Sequence, residues 1–277
     1  MAGKRLRVFA GPNGSGKSTI IDAIRRLKVH GRPIDFGIYI NADNIARDLR
    51  HNRFNFAHYQ VGEVSRADFI AAILPSGLIN AGFPEPEFRR SFTLNEAGEF
   101  RLRSKERDEY LAQALATFLR ERLLERELKF SFETVFSHIS KVEFLKHAVD
   151  QGYKVYLYFV ATEDPKINID RVRSIRVAQG GHDVPEQKIR ERYFRSLEYL
   201  YAAVQYVYQA YFFDNSADAE HCAAQPFAHF KVVGGEQKWD EINADKVPGW
   251  FWTHYLLKLD EHPKSRHRAP LQSALQR

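Results

Sequence analysis

Gly11-Pro12-Asn13-Gly14-Ser15-Gly16-Lys17-Ser18-Thr19 decides the fold, because it matches G-x-x-x-x-G-K-[ST] at every fixed position. It follows an apolar stretch, Arg5–Ala10, that reads as a strand, and it opens a helical stretch, Lys17–Leu27. Strand, glycine loop and helix in that order are the context a phosphate-binding loop requires. Glycines let the backbone curl until successive N–H groups point at phosphate oxygens, and the following helix adds its positive N-terminal end. In such a loop Lys17, on a solvent-facing turn, reaches the β- and γ-phosphates of ATP, and the Ser18 hydroxyl ligates Mg²⁺. All nine residues are therefore nucleotide-binding candidates. A glycine-rich turn that only caps a helix is the alternative.

Working outward, four more segments read as strands: Phe36–Ile40, Lys129–Phe136, Tyr153–Val160 and Ala210–Phe213. Each is short, rich in β-branched or aromatic residues and bounded by turn residues or a change of period. Helical patterns lie between them, at Asn44–Arg50, Arg107–Leu128, Lys141–Gln151 and the long stretch Pro165–Val207. Strands alternating with helices predict an α/β fold, and the phosphate loop makes it one of the P-loop NTPase, kinase-like type. Its mostly parallel sheet has five or six strands, with helices on both faces. Residues 1–260 read as a single domain, with an irregular Pro-, Gly- and Arg-rich insertion at about 75–105 and a helical, arginine-bearing lid at about 162–198. Residues 227–260, rich in Trp, Phe and Tyr, read as a strand and a helix packed as core. The basic stretch 261–277 reads as a flexible tail.

The sequence has 277 residues, 44% hydrophobic and 27% charged, with a net charge of +6 and a pI near 9.3. A basic balance suits an anionic ligand, whether nucleotide or nucleic acid. One cysteine, Cys222, excludes an intramolecular disulfide, reads as a core-facing small residue and fits a reducing compartment. No apolar run approaches the roughly eighteen residues of a membrane span, so a soluble, cytoplasmic protein is expected. No strand ends in the Asp-Glu pair of a motor ATPase, and no N-K-x-D guanine-reading motif occurs. The kinase branch remains, in which an acceptor hydroxyl is the nucleophile and an acidic residue takes its proton.

Asp43 follows the second strand, and the C-terminal ends of parallel strands face the ligand crevice. It reads either as that general base or as the N-cap of the helix from Asn44. Glu133 alternates with phenylalanines in Phe130-Ser131-Phe132-Glu133-Thr134. A carboxylate there needs the crevice or a fixed ion-pair partner. Two basic helical stretches flank Gln179-Gly180-Gly181-His182-Asp183-Val184-Pro185. Arg192 and Arg195, three apart, share a helix face, and Arg176 ends the preceding helix. Over a triphosphate these become an electrostatic clamp on a closing lid; without one they are a solvated face. Arg171, Arg173 and Arg190 are left to that solvated face.

Taken in order, GPNGSGKST, INAD at 40–43, SFET at 131–134, RVAQGGHDVP at 176–185, RERYFRSL at 190–197 and FDNS at 213–216 resemble the zeta-toxin family of kinases. Characterised members phosphorylate UDP-N-acetylglucosamine and related UDP-sugars. By that resemblance Asp43 is the acceptor-activating base. Glu133, with Thr134, Arg176 and His182, binds the acceptor, and Arg192 and Arg195 are the lid arginines. Asn215 lines the adenine pocket. The cofactors implied are ATP and Mg²⁺, and the implied partner is a small helical antitoxin that blocks the nucleotide site. The insertion and the aromatic C-terminal region match nothing in those kinases and are the parts of the sequence that would reshape the acceptor pocket. A kinase of nucleic-acid ends ranks below a small-molecule kinase. A regulatory nucleotide-binding module ranks lower still, because a switch needs no acceptor base.

Overall fold

The computed structural model describes residues 3–176, 184–217, 225–240, 242–261, 271 and 274–275. Cys222 and the turn residue His182 lie outside the described residues. Contacts divide the chain into two compact units, residues 1–35 with 133–277 and residues 36–132.

The chain begins with β1 (Arg5–Ala10), the glycine loop, α1 (Lys17–Arg26) and a small hairpin of β2 (Lys28–Val29) and β3 (Arg32–Pro33). The second unit starts with β4 (Ile38–Ile40), α2 (Ala42–Arg50), α3 (Arg66–Ile73) and α4 (Glu85–Arg90). It continues through the hairpin β5 (Phe92–Leu94) and β6 (Phe100–Leu102), then α5 (Asp108–Glu125), into β7 (Phe130–Thr134). The first unit resumes with α6 (Ser140–Asp150), β8 (Lys154–Ala161), α7 (Pro165–Arg171), α8 (Glu186–Glu198) and α9 (Leu200–Val204). It ends with β9 (Gln209–Asp214), β10 (Ala228–Val233), β11 (Glu236–Trp239), α10 (Gly249–Phe251) and α11 (Leu257–Glu261).

In the first unit β1, β8 and β9 run parallel, with Ala10 opposite Phe159 and Ala161 opposite Asp214. β10 and β11 extend that sheet antiparallel. Period-2 alternation sorts the rings onto two faces. One carries the stacked file Phe9, Tyr158, Tyr211 and His229, at centroid separations of 4.8, 4.8 and 4.4 Å. The other carries Phe159 and Phe212, which pack on Trp250, Phe251 and Tyr255. The aromatic C-terminal stretch is thus core, as expected, but it supplies a hairpin and a helix rather than one strand and a helix. Leu271 and Ala274 are buried, and Ile242 N–H donates to Ala274 O.

In the second unit β4 and β7 pair parallel, Ile40 opposite Phe132. α2 is tied to the start of α5 by the ion pair of Arg50 with the buried carboxylate of Asp108. The stretch 75–105, expected to be irregular, carries α4 and the β5–β6 hairpin. Phe88, Phe92 and Phe100 pack there with Phe69 of α3 at 4.6–6.0 Å, and Phe56 and Phe118, like Phe69 from outside the stretch, join them. Aromatic pairs in edge and offset geometries add to their burial, and this ties the insertion into the core of the second unit. Counted over both units the main sheet has seven strands, against the five or six expected, and it is mostly parallel as predicted.

Candidate functional site

The glycine loop is shaped by close approach. Gly14 has φ +72°, and a Cβ there would lie 2.5 Å from Asn168 O; Gly16 has φ +87°, and a Cβ would meet Asn215 Nδ2 at 2.0 Å. Both the left-handed backbone and the lack of space demand glycine. Gly16 leads directly into α1 without any side-chain cap, and the first turn of α1 carries no acid. Its leading N–H groups are therefore offered outward at the positive end of the helix dipole. Ser18 and Thr19 are exposed on that turn.

Lys17 is buried rather than solvent-facing, at 7% exposure. Its ammonium donates to Gly11 O at 3.0 Å and Pro12 O at 2.8 Å, across the mouth of its own loop. The Ser15 hydroxyl is wholly buried and has no partner among the described residues. A hydroxyl left so costs on the order of 1–3 kcal/mol, and it can donate to an anion seated in the loop. Asn13 Oδ1 is in the same state and wants a donor rather than an anion. A cationic side chain, uncapped helix N–H groups and an orphaned hydroxyl around one loop fit a polyphosphate. Ser18, exposed on the first turn of α1, fits a ligand to its magnesium ion.

A frame of buried polar groups holds the loop from behind. Asn215 Nδ2 donates to Ser15 O at 2.9 Å, and its own N–H donates to Ala161 O at 2.8 Å. Arg171 donates to Asn215 O at 2.7 Å and Ala217 O at 2.8 Å, so it is part of this frame and not of a solvated face. Arg173 and Arg190 do pair on the surface with Glu186. Asn168 Nδ2 donates to Asn13 O at 2.6 Å, while its Oδ1 accepts from the Thr162 hydroxyl. Asn168, a polar residue on the inner side of α7 between the buried Pro165 and Ile169, was the signal that the sequence offered and the pattern of arginines obscured.

Arg192 and Arg195 lie on α8, as their spacing predicts, half-buried and exposed respectively. Tyr193 between them anchors the helix, its hydroxyl donating to Thr162 O at 2.6 Å. Burial first, then Glu163, Asp164 and Asp214, push its phenol well above the usual tyrosine value, so it remains a donor at any neutral pH. α7 and α8 close on each other through Ile169, Val172 and Ile189. Val172–Arg176 form a π-type turn after α7, in the segment expected to be a lid; the side chain of Arg176 and His182 lie outside the described residues.

Carboxylates at the strand ends are engaged structurally. Glu163 accepts from Gly249 N–H at 2.6 Å and Trp250 N–H at 3.2 Å, and Asp214 accepts from the Trp250 indole at 2.9 Å. Glu133 and Thr134 end β7 half-buried, and the Thr134 hydroxyl accepts from Phe136 N–H at 3.2 Å.

Asp43 belongs to the second unit, exposed on the first turn of α2. It is not the N-cap. That role falls to Asn41, whose side chain accepts from Asn44 N–H at 3.0 Å, and α2 begins at Ala42 rather than Asn44.

No protein-family model and no curated protein sequence matches the chain. Among solved structures it is similar to the crystal structure of AvrRxo1-ORF1 with AvrRxo1-ORF2 and sulphate ions, at a TM-score of 0.48 and 12% identity. That match covers 85% of this chain, which spans 60% of the length of the other. The PezAT chromosomal toxin-antitoxin system of Streptococcus pneumoniae matches at a TM-score of 0.42 and 13% identity, over 81% of this chain and 76% of that one. A proposed kinase from Chloroflexus aurantiacus matches at 0.36 and 11%, over 68% and 76% respectively. Among the described residues no helix is long and apolar enough to cross a membrane.

Proposed function

We propose that the chain is an ATP- and magnesium-dependent phosphotransferase acting on a small acceptor. The observation that carries this reading is the Lys17 loop: a buried ammonium, an uncapped helix start and the orphaned Ser15 hydroxyl around one glycine loop. Lys17 exchanges its two loop carbonyls for β- and γ-phosphate oxygens, and the α1 N–H groups hold the rest of the polyphosphate. Ser18 would ligate magnesium, which neutralises charge on the transferring group when bound. Arg192 and Arg195 stabilise the charge of the transition state. Asp43 takes the proton of the acceptor hydroxyl. Asn215, besides bracing Ser15, is the residue we assign to the adenine side.

The acceptor class we favour is a UDP-N-acetyl sugar, by the likeness of INAD, SFET and RVAQGGHDVP to zeta toxins, with Glu133, Thr134, Arg176 and His182 as its contacts. A small helical antitoxin is the partner that likeness brings with it, and one cytoplasmic domain at residues 1–260 is the organisation. To test the reading, the protein is given Mg·ATP with a panel of UDP-sugars and 5′-hydroxyl oligonucleotides, and products are identified by mass. One added phosphoryl group on a UDP-sugar is the expected result. Phosphorylated oligonucleotide would move the acceptor to nucleic acid, and ATP bound without any product would leave a nucleotide-binding module.

A further inference from the structure

We propose that Asn168 is a positioning residue of the phosphate loop, fixing the Asn13–Gly14 peptide so that its N–H faces the bound polyphosphate; this rests on the phosphotransferase reading above. Asn168 is fully buried on α7, 155 residues along the chain from the loop it touches. Its two amide atoms do different work. The Asn13 carbonyl can only accept, so the NH₂ end must face it, at 2.6 Å. The oxygen end is left for the hydroxyl of Thr162, the residue after β8, which donates to it. Thr162 thereby selects the amide orientation that serves the loop.

The geometry of the peptide does the rest. A trans peptide is planar, with its C=O and N–H pointing in opposite directions. Once Asn168 draws the Asn13 carbonyl to one side, the Gly14 N–H is turned to the other, away from α7. The Asn168 backbone presses on Gly14 from that same side, so closely that a Cβ on Gly14 would be 2.5 Å from Asn168 O. Side chain and backbone of one residue thus set both the tilt and the depth of this part of the cradle. Thr162 also accepts from Tyr193 on α8, next to Arg192, so the same threonine links the arginine-bearing helix to the loop.

Calorimetric titration of Mg·ATP into the parent, T162V, T162S and N168D tests this, with melting temperatures recorded for all four. T162V keeps the shape of the side chain and removes the donor. It is expected to bind Mg·ATP more weakly by on the order of tenfold, while remaining folded at the assay temperature. T162S keeps the donor and is expected to restore parental affinity, a rescue that bulk stability would not produce. N168D sets a carboxylate against the Asn13 carbonyl and is expected to bind more weakly still; if it does not fold, the valine and serine pair decides. Parental affinity in folded T162V, or equal weakening in T162V and T162S, overturns the inference while the phosphotransferase reading stands. A parent that binds no Mg·ATP overturns that reading, and the inference with it.

Discussion

At the scale of single residues, helix capping and the proposed acid–base role fall on different residues at the start of α2. Asn41 caps the helix through its side chain, and Asp43, two residues further on, is not the cap. Asn41→Ala should therefore lower stability by about 1 kcal/mol, read as a fall in melting temperature. Asp43→Asn should change stability little beyond the few tenths of a kcal/mol that an acid near a helix N-terminus contributes. Phosphoryl transfer by that variant should fall by about a hundredfold or more, the usual share of a general base. Near-parental transfer would remove Asp43 from the chemistry. The sequence made Asp43 conspicuous but could not distinguish it from its neighbour as the cap, because Asn and Asp cap equally well. The motif singles out Lys17 as a candidate phosphate ligand, whereas its burial was not legible. Loop carbonyls fold around its ammonium, and no local pattern announces that.

Elements set by local chemistry were legible almost to the residue. β1 has the expected bounds, and β8 and β9 are displaced by a single residue at each end, since apolar runs between turn residues carry that information themselves. The helical stretch expected from Pro165 to Val207, read as two helices flanking a turn at 179–185, holds α7, a π-type turn, α8 and α9. Its basic, periodic sequence hides the π-type turn and the break between α8 and α9. α3 and the β5–β6 hairpin were missed, because phenylalanines 69, 88, 92 and 100 make sense only once paired with one another. α8 carries the prediction for this scale. Arg192→Lys and Arg195→Lys preserve charge but lose the planar donor fork. Each should lower turnover by at least about tenfold with Mg·ATP affinity less affected, since a transition-state contact acts on rate before binding. Unchanged turnover in both would return the pair to an ordinary solvated helix face.

For the whole molecule, the α/β class and the mostly parallel sheet followed from alternation of strands and helices, and the two compact units did not. Unit two closes through contacts between residues far apart in sequence, such as Arg50 with Asp108 and Gly37 with Lys129, which composition cannot foresee. A net charge of +6 suits any anionic ligand and so leaves the nucleotide to be shown at the loop itself. Calorimetric titration of Mg·ATP into the parent and into folded Lys17→Ala tests that most directly. A phosphate-binding loop predicts saturable binding by the parent and a loss of on the order of a hundredfold or more in the variant, because a charged donor to phosphate is removed from a buried site. No binding by the parent, or equal binding by both proteins, would contradict it.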